Sequence, residues 1–391
     1  MQKITVIIIL LLLITSKISA MPNDTIYYEC REELSFDTIP YMVKDQAFLD
    51  GLNELRMMLN GEKPYSLKRA EFIVELAYSG GKMDYDKFCR DIDSVAYILK
   101  QFIKVNNIQQ YKTAPNFALF EYFTKPSPMN GNKAFSYDFE DFTGKHDFRK
   151  LFITKVMETH TGQCTSLPLY YKILCDELGG QSYLAFAPKH VYVKHIGEDG
   201  KWVNIELTNG HFVRDEWMIQ THGISTEAIR NGVFLTALSD KENIAFMITQ
   251  LGKAYQQKYN SWDYFPLRCA EEVLKVLPNF CDALVLKFCV HQQLGYDYLN
   301  KYGQVRTHHS DYNYSEFQRM MSTLDKLGYS QQTDEEYKQS AEKALKDIEN
   351  ETKEYEKINN FRNQKDYHND NPSYKHMHIS ISSKPLCYVW R

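Results

Sequence analysis

Long hydrophobic runs, a surplus of basic residues and closely spaced cysteines are missing from most of this chain. Beyond the N-terminus, no apolar stretch reaches the length that a membrane-spanning helix needs. The formal net charge at pH 7 is −4, so nucleic acids and anionic membrane surfaces are not expected as partners. Eight cysteines among 391 residues are too few for a scaffold that depends on disulfides. The composition is that of a globular protein with about two or three domains.

Residues 1–20 carry the pattern of a secretory signal. Lys3 precedes an unbroken apolar run over residues 6–14, and the small side chain of Ala20 lies at a plausible cleavage point. A basic start, a short apolar core and a small final residue are typical of signal peptides. We therefore predict that the protein is exported to a periplasmic or extracellular space and keeps no stable membrane anchor; an uncleaved N-terminal anchor is the alternative. Cleavage would remove Lys3 and Lys17 and change the formal charge to −6.

The cysteine spacing argues against most disulfides in such an exported protein. Cys164 and Cys175 lie on one predicted helix, roughly 16 Å apart along its axis, which is far beyond bridging range. Cys281 and Cys289 are likewise too far apart on one predicted helix to form a disulfide bond. Cys269 could reach either of them across a pair of helices. We expect most of the cysteines to be small buried hydrophobic residues.

Hydrophobic periodicity predicts an α+β fold with a helical N-terminal region and a mixed core. Residues 21–144 are expected to be mainly helical, with helices at 66–78 and 85–103. Within this region, residues 137–142 mix charged and aromatic side chains without a clean period and are interpreted as loop. The core over 145–235 is predicted to contain one helix followed by three strands, at 165–178, 182–188, 190–195 and 202–207.

The C-terminal part of the chain is again predicted to be helical, over residues 240–360. A helix pair followed by Pro278 is typical of the tetratricopeptide repeat, although only one good repeat is recognisable. Residues 361–391 form a polar tail with the composition of a disordered segment. The predicted helices of this part lie at 244–259, 265–277, 281–294, 314–327 and 335–358.

A hairpin in the core is predicted to bring a histidine and a carboxylate together. The turn residues at 197–200 separate the last two strands, and pairing around that turn sets His190 opposite Glu206 to within one residue. Opposed Cβ atoms in an antiparallel sheet lie about 4.5–5.5 Å apart. This separation allows a hydrogen bond between the imidazole and the carboxylate.

Cys164 has the surroundings that activate a thiol. It stands just before the predicted first turn of a helix, where unpaired backbone N–H groups favour an anion, and Gly162 would let the chain turn sharply before it. His190 can lower the pKa of the thiol further, and Glu206 can orient the imidazole. The backbone N–H of Cys164 is a natural oxyanion donor, and Gln163 is a second candidate for that role or for support.

Other histidines offer alternatives to this assignment. His195 and His211 are alternative bases, but both lie farther from the predicted pairing with Glu206. A metal site could be built from Cys164 and three histidines, but paired Cys-x-x-Cys or His-x-x-x-His spacings are lacking. We therefore predict no metal and no cofactor. The histidines of that alternative site are His160, His190 and His195.

These residues resemble the transglutaminase-like superfamily, and the downstream helices resemble its branch fused to tetratricopeptide repeats. The resemblance implies a papain-like α+β core with Cys164 as nucleophile, His190 as base and Glu206 as orienting acid. Glu206 stands where the family usually has aspartate, and Thr165 stands where an aromatic residue often follows the nucleophile. The matching segments are Gly162-Gln163-Cys164, the helix end at Gly179-Gly180, Pro188-Lys189-His190 and Trp202-Val203-Asn204-Ile205-Glu206.

The expected function is that of an exported cysteine enzyme acting on peptide or protein amide bonds through a thioester. Hydrolysis, deamidation and acyl transfer all remain open. The helical repeats would offer a surface for a protein partner. The alternative is a catalytically inactive module that binds a peptide or protein with those repeats.

Overall fold

The computed structural model describes residues 43–339 and, in the helix that follows, residues 342, 343, 346, 350 and 353. The predicted signal peptide at 1–20, the polar tail at 361–391, Cys30 and Cys387 lie outside the described residues. The fold is α+β, as predicted, with a small antiparallel sheet and many helices. No helix in the described part combines the length and the hydrophobicity that crossing a bilayer requires.

Twelve α-helices and six strands define the fold of residues 43–329. The helices are α1 (Gln46–Leu59), α2 (Leu67–Tyr78), α3 (Tyr85–Val105), α4 (Ala114–Thr124), α5 (Ile153–Thr159), α6 (Ser166–Glu177), α7 (Asp215–His222), α8 (Thr226–Arg230), α9 (Asp240–Tyr259), α10 (Tyr264–Val276), α11 (Cys281–Lys301) and α12 (His308–Leu327). The strands are β1 (Ser136–Tyr137), β2 (Thr161–Gly162), β3 (Tyr183–Ala187), β4 (His190–Ile196), β5 (Trp202–Glu206) and β6 (His211–Val213). Residues 334–339 are also helical.

The predicted helices and strands are confirmed within the described residues, with shifts at their ends; of the helix predicted at 335–358, residues 335–339 and five later residues are described. The Ser66 side chain accepts a hydrogen bond from the Arg69 N–H and begins α2, as predicted. Helix α11 continues to Lys301, and α12 begins six residues earlier than predicted because Thr307 and Ser310 form a capping box. The loop prediction for 137–142 was wrong at Tyr137, which pairs with Gly162 in the short parallel ladder of β1 and β2.

The chain forms two compact units, and each is discontinuous in sequence. One contains the described residues up to 90 together with 238–329; the other contains 91–237 and the described residues from 330 onward. This division differs from the sequence-based ranges, because residues 91–144 and 330–339 group with the sheet. An amphipathic pattern tells which face of a helix is buried but not which element covers it.

In the first unit, α9 is the central element. It contacts α1, α2, α10 and α11, and the later helices pack in succession. Phe48 of α1 makes edge-on ring contacts with Tyr255 and Phe265, at centroid distances of 5.2 and 5.7 Å. Cys269, for which a bridge to Cys281 or Cys289 was open, is a free thiol, as are the other cysteines in the described residues. The tetratricopeptide arrangement stays a prediction.

In the second unit, α6 packs against β3 and β4 of a sheet with strand order β3-β4-β5-β6. All three strand pairs are antiparallel. The Tyr171 hydroxyl of α6 donates to the Asn116 carbonyl of α4 at 3.1 Å. The Asn116 side chain in turn donates to the Gln181 carbonyl at 3.1 Å. These contacts fix the helix that follows Cys164 relative to the strands that carry His190 and Glu206.

Candidate active site

Cys164 lies in a tight connection between β2 and α6. Gly162 ends β2 and has no positive φ, so the chain does not use a left-handed backbone at this position. Space is the reason for the glycine, since a Cβ there would lie 2.8 Å from Val156 Cγ2 and 3.0 Å from Leu167 Cγ. Such distances are too short for carbon atoms that do not shift. Gly162 therefore lets the chain pass close to α5 and α6 just before the thiol.

Hydrogen bonds hold the residues on both sides of Cys164. The Ser166 hydroxyl accepts from the Gln163 N–H at 2.9 Å and donates to the Lys150 carbonyl at 3.0 Å. The Gln163 side-chain amide donates to the Asp141 carbonyl at 2.6 Å and more weakly to the Asp138 carbonyl at 3.5 Å. Gln163 thus holds the loop after β1, an arrangement that fits a supporting role better than that of an oxyanion donor.

His190 and Glu206 are in direct contact. His190 Nε2 and Glu206 Oε2 are 2.5 Å apart, and the two residues are 5% and 1% exposed. The predicted register was wrong by two residues: Val193 pairs with Ile205, and the same ladder continued places Glu206 opposite Tyr192. A shift of two residues keeps every side chain on the same face. The histidine and the carboxylate therefore meet as diagonal neighbours.

The charges of this pair stabilise each other. Burial opposes ionisation of both groups, but the imidazolium and the Thr208 hydrogen bonds hold the pKa of the Glu206 carboxyl below its usual range. The Thr208 N–H and hydroxyl donate to Glu206 Oε1 at 3.0 and 2.7 Å. Burial alone would lower the pKa of His190, yet Glu206 and the Cys164 thiolate raise it to about 10. The favoured state at neutral pH is an imidazolium beside a carboxylate.

The Cys164 thiol is activated by this imidazolium. Burial alone would raise the pKa of the thiol, but hydrogen bonding to His190, the charge of His190 and the Tyr337 hydroxyl lower it overall. Its sulfur also lies 3.9 Å from the Lys189 carbonyl. Lys189 has a φ of +58°, an uncommon conformation for this residue type. At Cys175 and Cys269, in contrast, burial outweighs the other influences and raises the pKa of each thiol.

Tyr337 is a site residue that the sequence did not indicate. Its hydroxyl lies 3.0 Å from His190 Nδ1 and accepts a hydrogen bond from the Tyr137 hydroxyl at 3.3 Å. Tyr337, Tyr137 and Cys164 form one buried cluster. The helix at 334–339 was predicted from its period, but no local pattern tells that its tyrosine reaches a residue 147 positions earlier.

His222 is a second residue that the sequence did not indicate. Its ring stacks on that of His190, with centroids 4.7 Å apart and 19° between the planes. Burial, together with the charge of His190, lowers the pKa of His222 to about 3, so this ring is neutral. Its Nδ1 has no hydrogen-bond partner among the described residues. Both histidines border a cavity of about 20 Å³, which is room for about one water molecule.

The other predicted histidines do not join the site. His195 lies five positions after His190 on β4 and therefore faces the opposite side of the sheet. His211 pairs directly with Glu206 in the β5–β6 ladder, closer than expected, but its Nδ1 contacts the Asn209 carbonyl at 2.6 Å. His160 ends α5 and stacks on Phe135. The metal set of Cys164 with His160, His190 and His195 is thus not assembled.

One other group of possible metal ligands lies in the described residues. Ligand atoms of His190, Glu206 and His222 all lie within 4.8 Å of one another. Two of these atoms, His190 Nε2 and Glu206 Oε2, already form the short contact, and the stacked histidine rings do not converge on a common point. The group is better suited to holding a proton than an ion.

Comparison with protein-family models, with curated proteins and with solved structures finds no significant match to this chain.

Proposed function

We propose that this protein is a transglutaminase-like cysteine enzyme that acts on peptide or protein amide bonds through a thioester. Cys164 is the nucleophile, His190 the proton carrier and Glu206 the acid that orients it. The observation that carries the proposal is the 2.5 Å contact between His190 Nε2 and Glu206 Oε2. It leaves Nδ1 of the same ring free of Glu206, and His190 also hydrogen-bonds the Cys164 thiol, the order of groups that a cysteine nucleophile needs.

The reaction begins with attack of the Cys164 thiolate on the carbonyl carbon of the amide. The carbonyl oxygen becomes an oxyanion, and the backbone N–H of Cys164 is its proposed donor. His190 then gives its Nδ1 proton to the leaving nitrogen, the C–N bond breaks and an amine departs. Because Glu206 forms a hydrogen bond with Nε2, the ring cannot rotate, and Nδ1 stays directed at the reacting atoms in every step.

The second half of the reaction releases the acyl group. Water or an amine attacks the thioester carbonyl while His190 takes a proton from the attacking atom. The C–S bond breaks, and the thiolate and imidazolium are restored. Attack by water on a main-chain acyl group gives hydrolysis, attack by water on a side-chain acyl group gives deamidation, and attack by an amine gives acyl transfer. The proposal also includes export of the protein, and a protein partner bound by the C-terminal helices α9 to α12.

Mass spectrometry of a peptide mixture tests this function. Wild type, Cys164→Ala and Tyr337→Ala are each incubated with the mixture; Tyr337→Ala is included because its hydroxyl contacts His190 Nδ1. We expect cleavage, a deamidation shift or crosslinking with wild type or Tyr337→Ala, and none with Cys164→Ala. Unchanged peptides in all three samples would favour the inactive binding module.

A further inference from the structure

The helix at 334–339 covers the thiol with a side chain of its own. Tyr337 is 3% exposed and Cys164 is 8% exposed, and the two pack in the same cluster. Phe142 stacks on the Tyr337 ring at 5.6 Å with 21° between the planes. The thiol therefore packs against an aromatic side chain from a distant part of the chain, which shields it from solvent.

The hydroxyl of Tyr337 occupies the polar centre of the site. It forms a hydrogen bond with His190 Nδ1 at 3.0 Å and accepts one from the Tyr137 hydroxyl at 3.3 Å. Nδ1 is the atom that our mechanism needs for the leaving nitrogen. A substrate amide and the Tyr337 hydroxyl thus compete for one position.

A second anchor lies one helical turn before the tyrosine. Asp334 forms ion pairs with both Lys145 and Lys189. Residues three apart share one face of a helix, so Asp334 and Tyr337 dock together. The backbone carbonyl of Lys189 also contacts the sulfur of Cys164. Lys189 therefore contacts both Asp334, through its side chain, and the thiol, through its backbone.

The start of the docked helix is capped by residues of the same segment. Thr333 and Glu336 form a capping box, in which the Thr333 N–H donates to Glu336 Oε2 at 3.0 Å and the Glu336 N–H donates to Thr333 Oγ1 at 3.1 Å. Such a box satisfies backbone groups without help from the rest of the protein. The same segment supplied as a separate peptide therefore carries its helix start with it.

We propose that the cleft at Cys164 is a docking site for helical peptide segments with an acidic residue one turn before an aromatic residue. The chain's own residues 333–339 occupy this site and keep the enzyme latent. Lys145 and Lys189 take the acidic side chain, and Tyr137 and Phe142 take the aromatic one. This inference rests on the proposed function, because it treats Cys164 as the nucleophile that the segment covers.

Alkylation of Cys164 in the full-length protein tests the occlusion. The rate constant with iodoacetamide at neutral pH is measured by mass spectrometry of the Cys164 peptide in wild type, Tyr337→Ala, Tyr337→Phe and Asp334→Asn. We expect about a tenfold increase for Tyr337→Ala and smaller increases for the other two, since the observed rate scales with the fraction of open sites. The matched control Glu335→Gln alters an exposed residue of the same helix and should keep the wild-type rate.

The Asp334→Asn variant separates access from electronic effects. The Tyr337 hydroxyl helps to lower the pKa of Cys164, so its removal can change the reactivity of the thiolate as well as its exposure. Asp334→Asn weakens the ion pairs of the docked helix and leaves that hydroxyl in place, so acceleration in this variant reports access. Equal or slower alkylation in Tyr337→Ala and Asp334→Asn, with circular dichroism spectra like that of wild type, overturns the occlusion. If Tyr337→Ala does not fold, the alkylation rate of Tyr337→Phe is compared with that of wild type instead, and an equal or slower rate overturns the occlusion.

Peptide binding tests the recognition separately from catalysis. A fluorescent peptide of residues 330–342 is titrated into the full-length triple variant Cys164→Ala, Asp334→Asn, Tyr337→Ala, and anisotropy is recorded. We expect saturable binding, weakened at least tenfold when the peptide carries Ala at the tyrosine or Asn at the aspartate. Absence of binding, or equal binding of all three peptides, overturns the docking site. Because the host lacks the nucleophile, this result stands whether or not Cys164 proves to be catalytic.

Discussion

His190 and Glu206 meet across two antiparallel strands as diagonal neighbours, with Nε2 and Oε2 2.5 Å apart and almost no exposure to solvent. Continuation of the ladder places Tyr192, not His190, opposite the carboxylate. The contact therefore depends on the reach of the glutamate side chain along the strand, and the extra methylene relative to aspartate serves that reach.

Replacement of Glu206 should therefore separate charge from length. We expect Glu206→Gln to lower turnover on the order of 10²-fold, because the imidazolium loses its counter-charge. Glu206→Asp should retain more activity than Glu206→Gln, since the charge remains while the distance grows. NMR titration of His190 should place its pKa near 10 in wild type and lower in Glu206→Gln. Asp199→Asn, in the exposed turn of the same hairpin, is the control, and an unchanged His190 titration in Glu206→Gln would contradict this account.

His222 should make the protein less stable in acid. A histidine whose folded pKa is about 3 stays neutral in the folded protein but takes up a proton on unfolding below about pH 6.5. The free energy of unfolding is therefore unaffected by this histidine above pH 6.5. As the pH falls from 6.5 towards 3, the free energy of unfolding decreases by on the order of 1 kcal/mol per pH unit. His222→Phe keeps a stacking ring without a titrating group.

The measurement for this effect is the free energy of unfolding in urea as a function of pH. The curve for His222→Phe should be shallower than that of wild type between pH 6.5 and 3, by about one proton. His308→Gln, at an exposed position, should follow the wild-type curve. Parallel curves for wild type and His222→Phe would show that His222 is not held neutral.

Gly162 should not tolerate even a methyl group. A Cβ would lie 2.8 Å from Val156 Cγ2, and an overpacked site of this kind typically costs about 1–3 kcal/mol. We expect Gly162→Ala to destabilise the protein to urea and the added Val156→Ala to recover part of the loss. The matched control is Gly295→Ala in α11, where the nearest atom to the new Cβ is 3.7 Å away and no loss is expected. Wild-type stability of Gly162→Ala would mean that α5 yields easily at this point.

The sequence was informative wherever the decisive interactions are local. The period of the apolar residues predicted the helix after Cys164 and the three strands, and the turn at 197–200 identified the hairpin that joins His190 and Glu206. A register error of two residues did not break that contact, because the face of a strand repeats every second residue. The class of fold and the contact between this histidine and this carboxylate were therefore predictable.

Tyr337 and His222 were not predictable, for a physical reason. Each lies on a helix whose pattern shows a buried face but carries no information about the partner of that face. The tyrosine reaches His190 across 147 positions, and no spacing rule extends so far. Likewise, the role of Gly162 depends on the approach of Val156, which is a property of tertiary packing.

The pH dependence of Cys164 alkylation tests the central claim most directly. The thiolate is the reacting form, so the rate should rise to a plateau with a midpoint clearly below 9, since the pKa of Cys164 is lowered by His190. Burial raises the pKa of Cys281 to about 12 and that of Cys289 to about 11, so these internal references should react only in strong alkali. In His190→Ala the Cys164 midpoint should move to 9 or above. A wild-type midpoint at or above 9, or one that His190→Ala leaves unchanged, would contradict an activated cysteine at this site.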